Sequence, residues 1–303
     1  MKISQNYKTN LFVNLLLVYI IWGSTYLGVK IALTDLPPMW LTTVRFLTGG
    51  VILWLFSLTK EKLASLEEIR GSSLIGIFLT GLGTSSIAYS VRFIPSGVVA
   101  LLVAMLPLWI FFLDFFFFSK TKPSSLSLLG ISTGTLGIIL LFNPFHLVNQ
   151  ETLPFWPFLA VVFGSVSWAW GSLISSRIKQ AKGTQGIAIQ MVSGGLIALI
   201  ISLFTESDQL NLTIHMSRNT YVALAYLIFI GSFIGYSAYV WLINNAPPLL
   251  TSSYAFVNPV VAILLGYFWI NEKLSESMLL ASAVILSGVV MMTLGRRKKN
   301  YEE

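Results

Sequence analysis

The chain has 303 residues, of which 55% are hydrophobic, 14% aromatic and only 10% charged. A soluble domain of this length keeps roughly a quarter of its residues charged, so a water-soluble fold is excluded. There is no cysteine, which rules out disulfides and thiolate metal sites.

A membrane span needs about 20 apolar residues to cross ~30 Å of hydrocarbon. Ten segments of that kind are predicted, near residues 11–33, 39–59, 71–91, 96–118, 125–143, 155–177, 185–204, 219–243, 249–270 and 276–295. Almost nothing remains outside them, so binding has to occur within the bilayer. The first follows Lys2 and Lys8, is too long for a signal-peptide core and lacks a small-residue cleavage pattern, so it reads as a retained helix. It carries Trp22-Gly23-Ser24 and, nearer its end, Lys30. The second carries Arg45 and Gly49-Gly50, and the third Ala88-Tyr89 and Arg92. The fourth holds Pro107, Trp109 and Asp114, and the fifth Gly130-xxx-Gly134. The sixth ends in Trp170-Gly171-Ser172, and the seventh holds Gln190 and Gly194-Gly195. Gly231-xxx-Gly235 and Ala238-Tyr239 mark the eighth, Tyr254 and Asn258-Pro259 the ninth. Both spaced glycine pairs read as close helix contacts.

These landmarks recur. Trp22-Gly-Ser returns as Trp170-Gly-Ser, the paired glycines return after Gln190 in place of Arg45, Ala-Tyr returns at 238–239 and Pro107 returns as Pro259. The fold class expected is therefore all-α integral membrane, with ten helices in two inverted five-helix repeats over 1–152 and 153–303. Five spans per copy is odd, so the second copy enters upside down, an arrangement typical of secondary transporters.

The +7 net charge is not spread evenly. Lys2, Lys8, Lys60, Lys62, Arg70, Lys120, Lys122, Arg177, Lys179, Lys182 and the tail 296–299 fall on one side of a ten-span chain. Asp35, Glu151, Glu206, Asp208, Glu272 and Glu276 dominate the other, against Arg218 and Lys273. By the positive-inside rule both termini are expected in the cytoplasm of a bacterial inner membrane. The basic charge is then a topology signal that also suits anionic lipid, not a nucleic-acid site. The expected partners are a small-molecule substrate and the lipid bilayer, with a homodimer left open and no cofactor or metal.

The landmarks resemble the drug/metabolite transporter superfamily, EamA type, and within it the YedA-like bacterial exporters, over essentially the whole chain. The stretches are Trp22-Gly-Ser-Thr-Tyr26, Pro37-Pro38 with Val44-Arg45-Phe46-Leu47, Ile94-Pro95-Ser96-Gly97, Ser165-Val-Ser-Trp-Ala-Trp-Gly-Ser172, and Tyr254-Ala-Phe-Val-Asn-Pro259 followed by Asn271-Glu272-Lys273. The resemblance implies a central cavity and alternating access for small polar metabolites or drugs. One departure stands in the first half, where Lys120 occupies the place of Glu272.

Pro107 and Pro259 each lie mid-span, where proline removes a helical hydrogen bond, and as a matched pair they are the expected hinges. Charged residues at membrane depth are functional candidates. Arg45 is the deepest, and reads either as a cavity cation or as a structural group bonding helix carbonyls or Asp35. Lys30 and Arg92 can snorkel to an interface, and Asp114 can pair with Lys120 or Lys122. No carboxylate lies near the midplane. A cationic drug needs one, whereas arginine suits a carboxylate or phosphate. The solute expected is therefore anionic or zwitterionic, such as an amino acid or organic acid. The candidate substrate-binding residues are Trp22, Ser24, Arg45, Tyr89, Trp170, Gln190, Tyr239, Tyr254 and Asn258. Thr25 and Ser172 offer further neutral hydrogen bonds, while His146 and His215 are placed in loops, poorly sited for a proton relay. A toxic-compound efflux carrier is the alternative. A lipid-modifying enzyme would need a His/Asp/Glu constellation that the chain lacks, and a channel would need a filter segment.

Overall fold

The computed structural model describes residues 5–59, 61–118, 124–142, 155–246, 254–272 and 276–299. The expectations on Lys2, Lys60, Lys120, Lys122, His146, Glu151 and Lys273 lie outside them. Among the described residues the secondary structure is all helical. Long apolar runs with no competing strand pattern leave helix as the way to satisfy every backbone group inside lipid.

The helices are α1 (Gln5–Ala32), α2 (Pro38–Ser57), α3 (Leu66–Phe93), α4 (Ser96–Phe117) and α5 (Ser125–Phe142). After them come α6 (Phe155–Ser175), α7 (Gly183–Thr205), α8 (218–245), α9 (Tyr254–Ile270) and α10 (Glu276–Lys299), with a further short helix, Gln209–Ile214, between α7 and α8. Among the described residues, seven of these are long and apolar enough to cross a membrane, and Val257–Ile270 and Met278–Met291 are shorter apolar helices. The starts follow ordinary local chemistry. Ser65 and Glu68 form a reciprocal capping box at α3, Ser217 caps α8 by accepting from Thr220 N, and Pro38 occupies the first turn of α2.

Two helices depart from α geometry at related places. Ile77–Gly83 in α3 and Tyr226–Ile234 in α8 are π-helical, about 150 residues apart. The wider turn leaves carbonyls that hydroxyls reach from five residues on. Thr84 Oγ1 donates to Leu79 O at 3.3 Å and Ser232 Oγ to Leu227 O at 3.0 Å. α4 is interrupted outright. Ser96–Val103 and Leu106–Phe117 are separate pieces joined at Ala104 and Met105, with Pro107 in the first turn of the second. α9 runs unbroken through Pro259. Of the two matched prolines, one accompanies a break and the other is absorbed.

Paired glycines set the helix contacts. A Cβ on Gly50 would lie 2.9 Å from Val192 N, and one on Gly195 would lie 2.9 Å from Leu47 N, so α2 and α7 cross backbone to backbone. α5 meets α10 in the same way, with Gly130 and Gly134 against Gly288. Gly231 and Gly235 receive Thr25 and Trp22 of α1.

Carboxylates tie helix ends across the chain. Glu206, just after α7, accepts from Met39 N and Trp40 N at 2.8 Å each, at the start of α2. Glu61, just after α2, accepts from Thr184 N and Gln185 N at 2.9 Å each, at the start of α7. Each helix of this pair thus has its N-terminus held by the carboxylate that follows the other, at opposite ends of the bundle. At the Glu206 end, Glu272 accepts from Ser96 N and Ser96 Oγ, and Asp35 accepts from Ser217 N and Thr220 Oγ1. Lys30 joins that end by donating to Val91 O at 2.7 Å. At the Glu61 end stand the ion pairs Lys179–Glu67 (3.0 Å) and Arg177–Asp114 (3.6 Å). Unpaired helix-terminal N–H groups are a natural seat for carboxylate.

Candidate functional site

The helix faces converge on one cavity, with about 130 Å³ open to the centres of water molecules. Its lining comes from α1, α2, α3, α4, α6, α7, α8 and α9. α1 contributes Trp22, Thr25, Tyr26 and Val29, which share one helical face. α3 contributes Thr80 from its π segment, then Thr84, Ile87, Ala88 and Val91. Val103, Ala104 and Leu106 place the break of α4 in the wall, where Pro107 has no N–H to offer the Val103 carbonyl.

Arg45 is the one charged residue in this lining among the described residues. It is 9% exposed. Its Nε donates to Ser232 Oγ at 3.1 Å, and its guanidinium carbon lies 4.9 Å from the Phe46 ring centre. A guanidinium has five N–H donors, and no ion pair to Arg45 is found among the described residues. Asp35, one of its expected partners, is held elsewhere by Ser217 and Thr220. Those hydrogen bonds keep the Asp35 carboxyl down at about 2, well below its ordinary value.

Trp22 sits at the centre of an aromatic group. Its ring centre is 4.6 Å from Tyr239, 5.2 Å from Tyr254, 6.3 Å from Trp168 and 6.4 Å from Tyr236. Tyr236 OH donates to Gln190 Oε1 at 2.5 Å, and Gln190 Nε2 donates to Gln180 Oε1. Asn258 has its amide 3.2 Å from the carbonyls of Tyr19 and Tyr254, so its nitrogen faces them.

Of the sequence candidates, Trp22, Arg45, Tyr254, Asn258 and Pro259 line the cavity. Gln190 and Tyr239 stand behind it, each touching a lining residue. Ser24, Tyr89, Trp170 and Pro107 lie outside the lining. Ser24 bonds Ile20 O, Ile21 O and Tyr226 OH. Tyr89 packs on Phe93, and Trp170 on Phe117 and Phe118. Thr25, expected to offer a neutral hydrogen bond, lines the cavity, and the polar and aromatic lining residues that sequence reasoning left out include Tyr26, Thr80, Thr84, Ser165, Trp168, Ser232 and Tyr236. Helical phase was the available signal. Thr25 and Tyr26 lie three and four residues from Trp22, whereas Ser24 lies two away. Trp168 lies three from Ser165, whereas Trp170 lies five away. Correspondence between repeats selects the motif, and phase selects which of its residues turns inward.

The profile of the EamA-like transporter family matches twice, over residues 10–143 and 155–294. The chain belongs to the EamA-like transporter family. The inner membrane transporter YedA of Escherichia coli (strain K12) is 38% identical over 288 residues, which is 94% of this chain and 91% of that protein. A second Escherichia coli (strain K12) protein, named as a probable amino-acid metabolite efflux pump, is 21% identical over 93% of this chain and 94% of its own length. A solved crystal structure shares the fold with a TM-score of 0.64 at 18% identity, covering 97% of this chain and 99% of that one. With this membership, the cavity and its buried Arg45 stand in a membrane transporter.

Proposed function

We propose that the protein is an exporter of small anionic or zwitterionic metabolites such as amino acids or organic acids. It works by alternating access around the cavity at Arg45. The observation that carries this reading is a buried guanidinium in a cavity lined by no carboxylate among the described residues. Such a group is costly in lipid unless it meets an anion, and its planar fork grips a carboxylate through paired charge-assisted bonds. The relative named for amino-acid metabolite efflux supports the same class.

In this reading ten spans form two inverted repeats, 1–152 and 153–303, in a bacterial inner membrane with both termini cytoplasmic. The double family match, the α2–α7 and α5–α10 glycine crossings, the paired π segments and the reciprocal Glu61 and Glu206 caps all support it. Rocking occurs about the break at Pro107 and, in the second repeat, at Pro259.

Counterflow of labelled amino acids and organic acids in proteoliposomes, beside Arg45→Gln, tests the proposal. Saturable exchange that collapses in the variant is the expected result. Exchange unchanged in Arg45→Gln would reduce the arginine to a structural group. Exchange of neutral or cationic compounds alone would favour the toxic-compound reading.

A further inference from the structure

The π segment of α8 holds Arg45 from behind. A π turn leaves a helical carbonyl without its usual amide, and Ser232 Oγ takes that amide's place by donating to Leu227 O at 3.0 Å. A hydroxyl that has given away its one proton keeps lone pairs that can only accept. Arg45 Nε donates to that oxygen at 3.1 Å. Ser232 is 2% exposed, so the bond is shielded from bulk water.

The neighbouring residue completes the seat. A Cβ on Gly231 would lie 3.3 Å from Arg45 Nη2 and 3.1 Å from Thr25 Cγ2, so the bare glycine is what lets that nitrogen come close to α8. Nε and Nη2 share one edge of the planar guanidinium, and this edge is turned to α8. The Phe46 ring, 4.9 Å from the guanidinium carbon, flanks the group as well. The other edge is formed by Nη1 and Nη2. Neither nitrogen makes a hydrogen bond among the described residues, and neither is sealed from open space. Arg45 itself lines the cavity. The second π segment acts on a different atom. Thr80 Oγ1 donates at 2.9 Å to the backbone carbonyl of Gln190, the residue in Arg45's place on α7. One π segment grips a backbone, the other a side chain.

We infer that Ser232 is the positioning residue for Arg45: it holds the Nε edge to α8, so that the Nη1 and Nη2 pair is presented to the carboxylate of the solute. Two parallel N–H···O bonds require a guanidinium fixed in angle as well as in place, and a long side chain is fixed only by a second contact of this kind. The inference rests on the transporter reading above and deepens it by naming what aims its cation.

Two measurements test it, one of them independent of any solute. In protein labelled with nitrogen-15 arginine, the Nε–H signal missing from Arg45→Gln identifies Arg45. Its exchange with water is expected to be about tenfold faster in Ser232→Ala and near wild type in Ser232→Thr, which keeps the hydroxyl. Counterflow of labelled alanine, glutamate, lactate and malate in proteoliposomes reads the solute side. For whichever of these is exchanged, Ser232→Ala is expected to raise KM about tenfold, the worth of one charge-assisted bond, with kcat within about twofold. Ser232→Thr is expected to restore KM. A purely structural serine would lower the unfolding midpoint and leave KM where it was. Slow Nε–H exchange retained in Ser232→Ala overturns the inference, and so does a freed Nε–H with KM unchanged; both leave the carrier reading standing. Exchange of none of the four solutes by the wild type overturns the transporter reading and this inference with it.

Discussion

The two second helices, α2 and α7, occupy the same place in their halves and differ in what they turn to the cavity, Arg45 and Phe46 against Met191. Their packing is shared. Paired glycines let each backbone touch the other, and each N-terminus is held by the glutamate following its partner. Their chemistry diverges. Arg45 of α2 reaches Ser232 in the π segment of α8 and lines the cavity. Gln190 of α7 spends its amide on Tyr236 and Gln180, and its carbonyl accepts from Thr80 in the π segment of α3. What the two helices hold in common is the means of packing, and where they differ is the chemistry they bring to the cavity. The same contrast separates α4, broken before Pro107 and capped by Glu272, from α9, continuous through Pro259.

The strongest way to break the comparison is to give α2 the residue of α7. Arg45→Gln should lower kcat/KM for an anionic solute about 10- to 100-fold, the worth of one to two charge-assisted bonds, with monodisperse protein on gel filtration. The shared crossing comes next. Gly50→Val places a side chain where even a Cβ would lie 2.9 Å from Val192 N. Overpacking of this kind should cost about 1–3 kcal/mol, read as a lower unfolding midpoint in detergent. Gly195→Val should do the same if the two halves are equivalent there.

The reciprocal caps sharpen it further. Glu61→Ala and Glu206→Ala should each cost about 0.5–2 kcal/mol, and matching losses in thermal midpoint would show that the two ends of the α2–α7 pair are held equally. Unequal losses would mark one end as the weaker closure. The smallest effect is at Asp35. Its carboxyl lies near 2 because Ser217 and Thr220 donate to it. Its contribution is then fully present above the unfolded value near 4 and is lost only as pH falls through about 2. Stability should show no titration from this group between pH 5 and 8. Asp35→Asn should lower the midpoint equally across that range, with the difference from wild type shrinking only in strong acid. A midpoint difference that varied between pH 5 and 8 would contradict the assignment.

Much of this was legible beforehand. Helix after helix could be placed because apolar runs of span length have one outcome in lipid, and Arg45 stood out because charge at depth is rare. Gly231-xxx-Gly235 announced the contact that α1 makes through Thr25 and Trp22. The site was harder. Trp170 matched Trp22 by motif, yet it packs on Phe117 and Phe118 while Trp168 faces the cavity. A residue's motif fixes its neighbours in the chain, but which way it faces depends on the phase of the whole helix against its neighbours.

By itself the sequence determined a helical membrane transporter, the duplicated landmarks and the sign of the buried charge, because these depend on composition, length and order. Only the tertiary structure decided that Glu61 and Glu206 cap each other's helices, that Pro107 accompanies a break while Pro259 does not, and that Trp168 rather than Trp170 lines the cavity. The caps join residues more than a hundred positions apart, and no local pattern encodes which donor will meet which acceptor once the helices have packed.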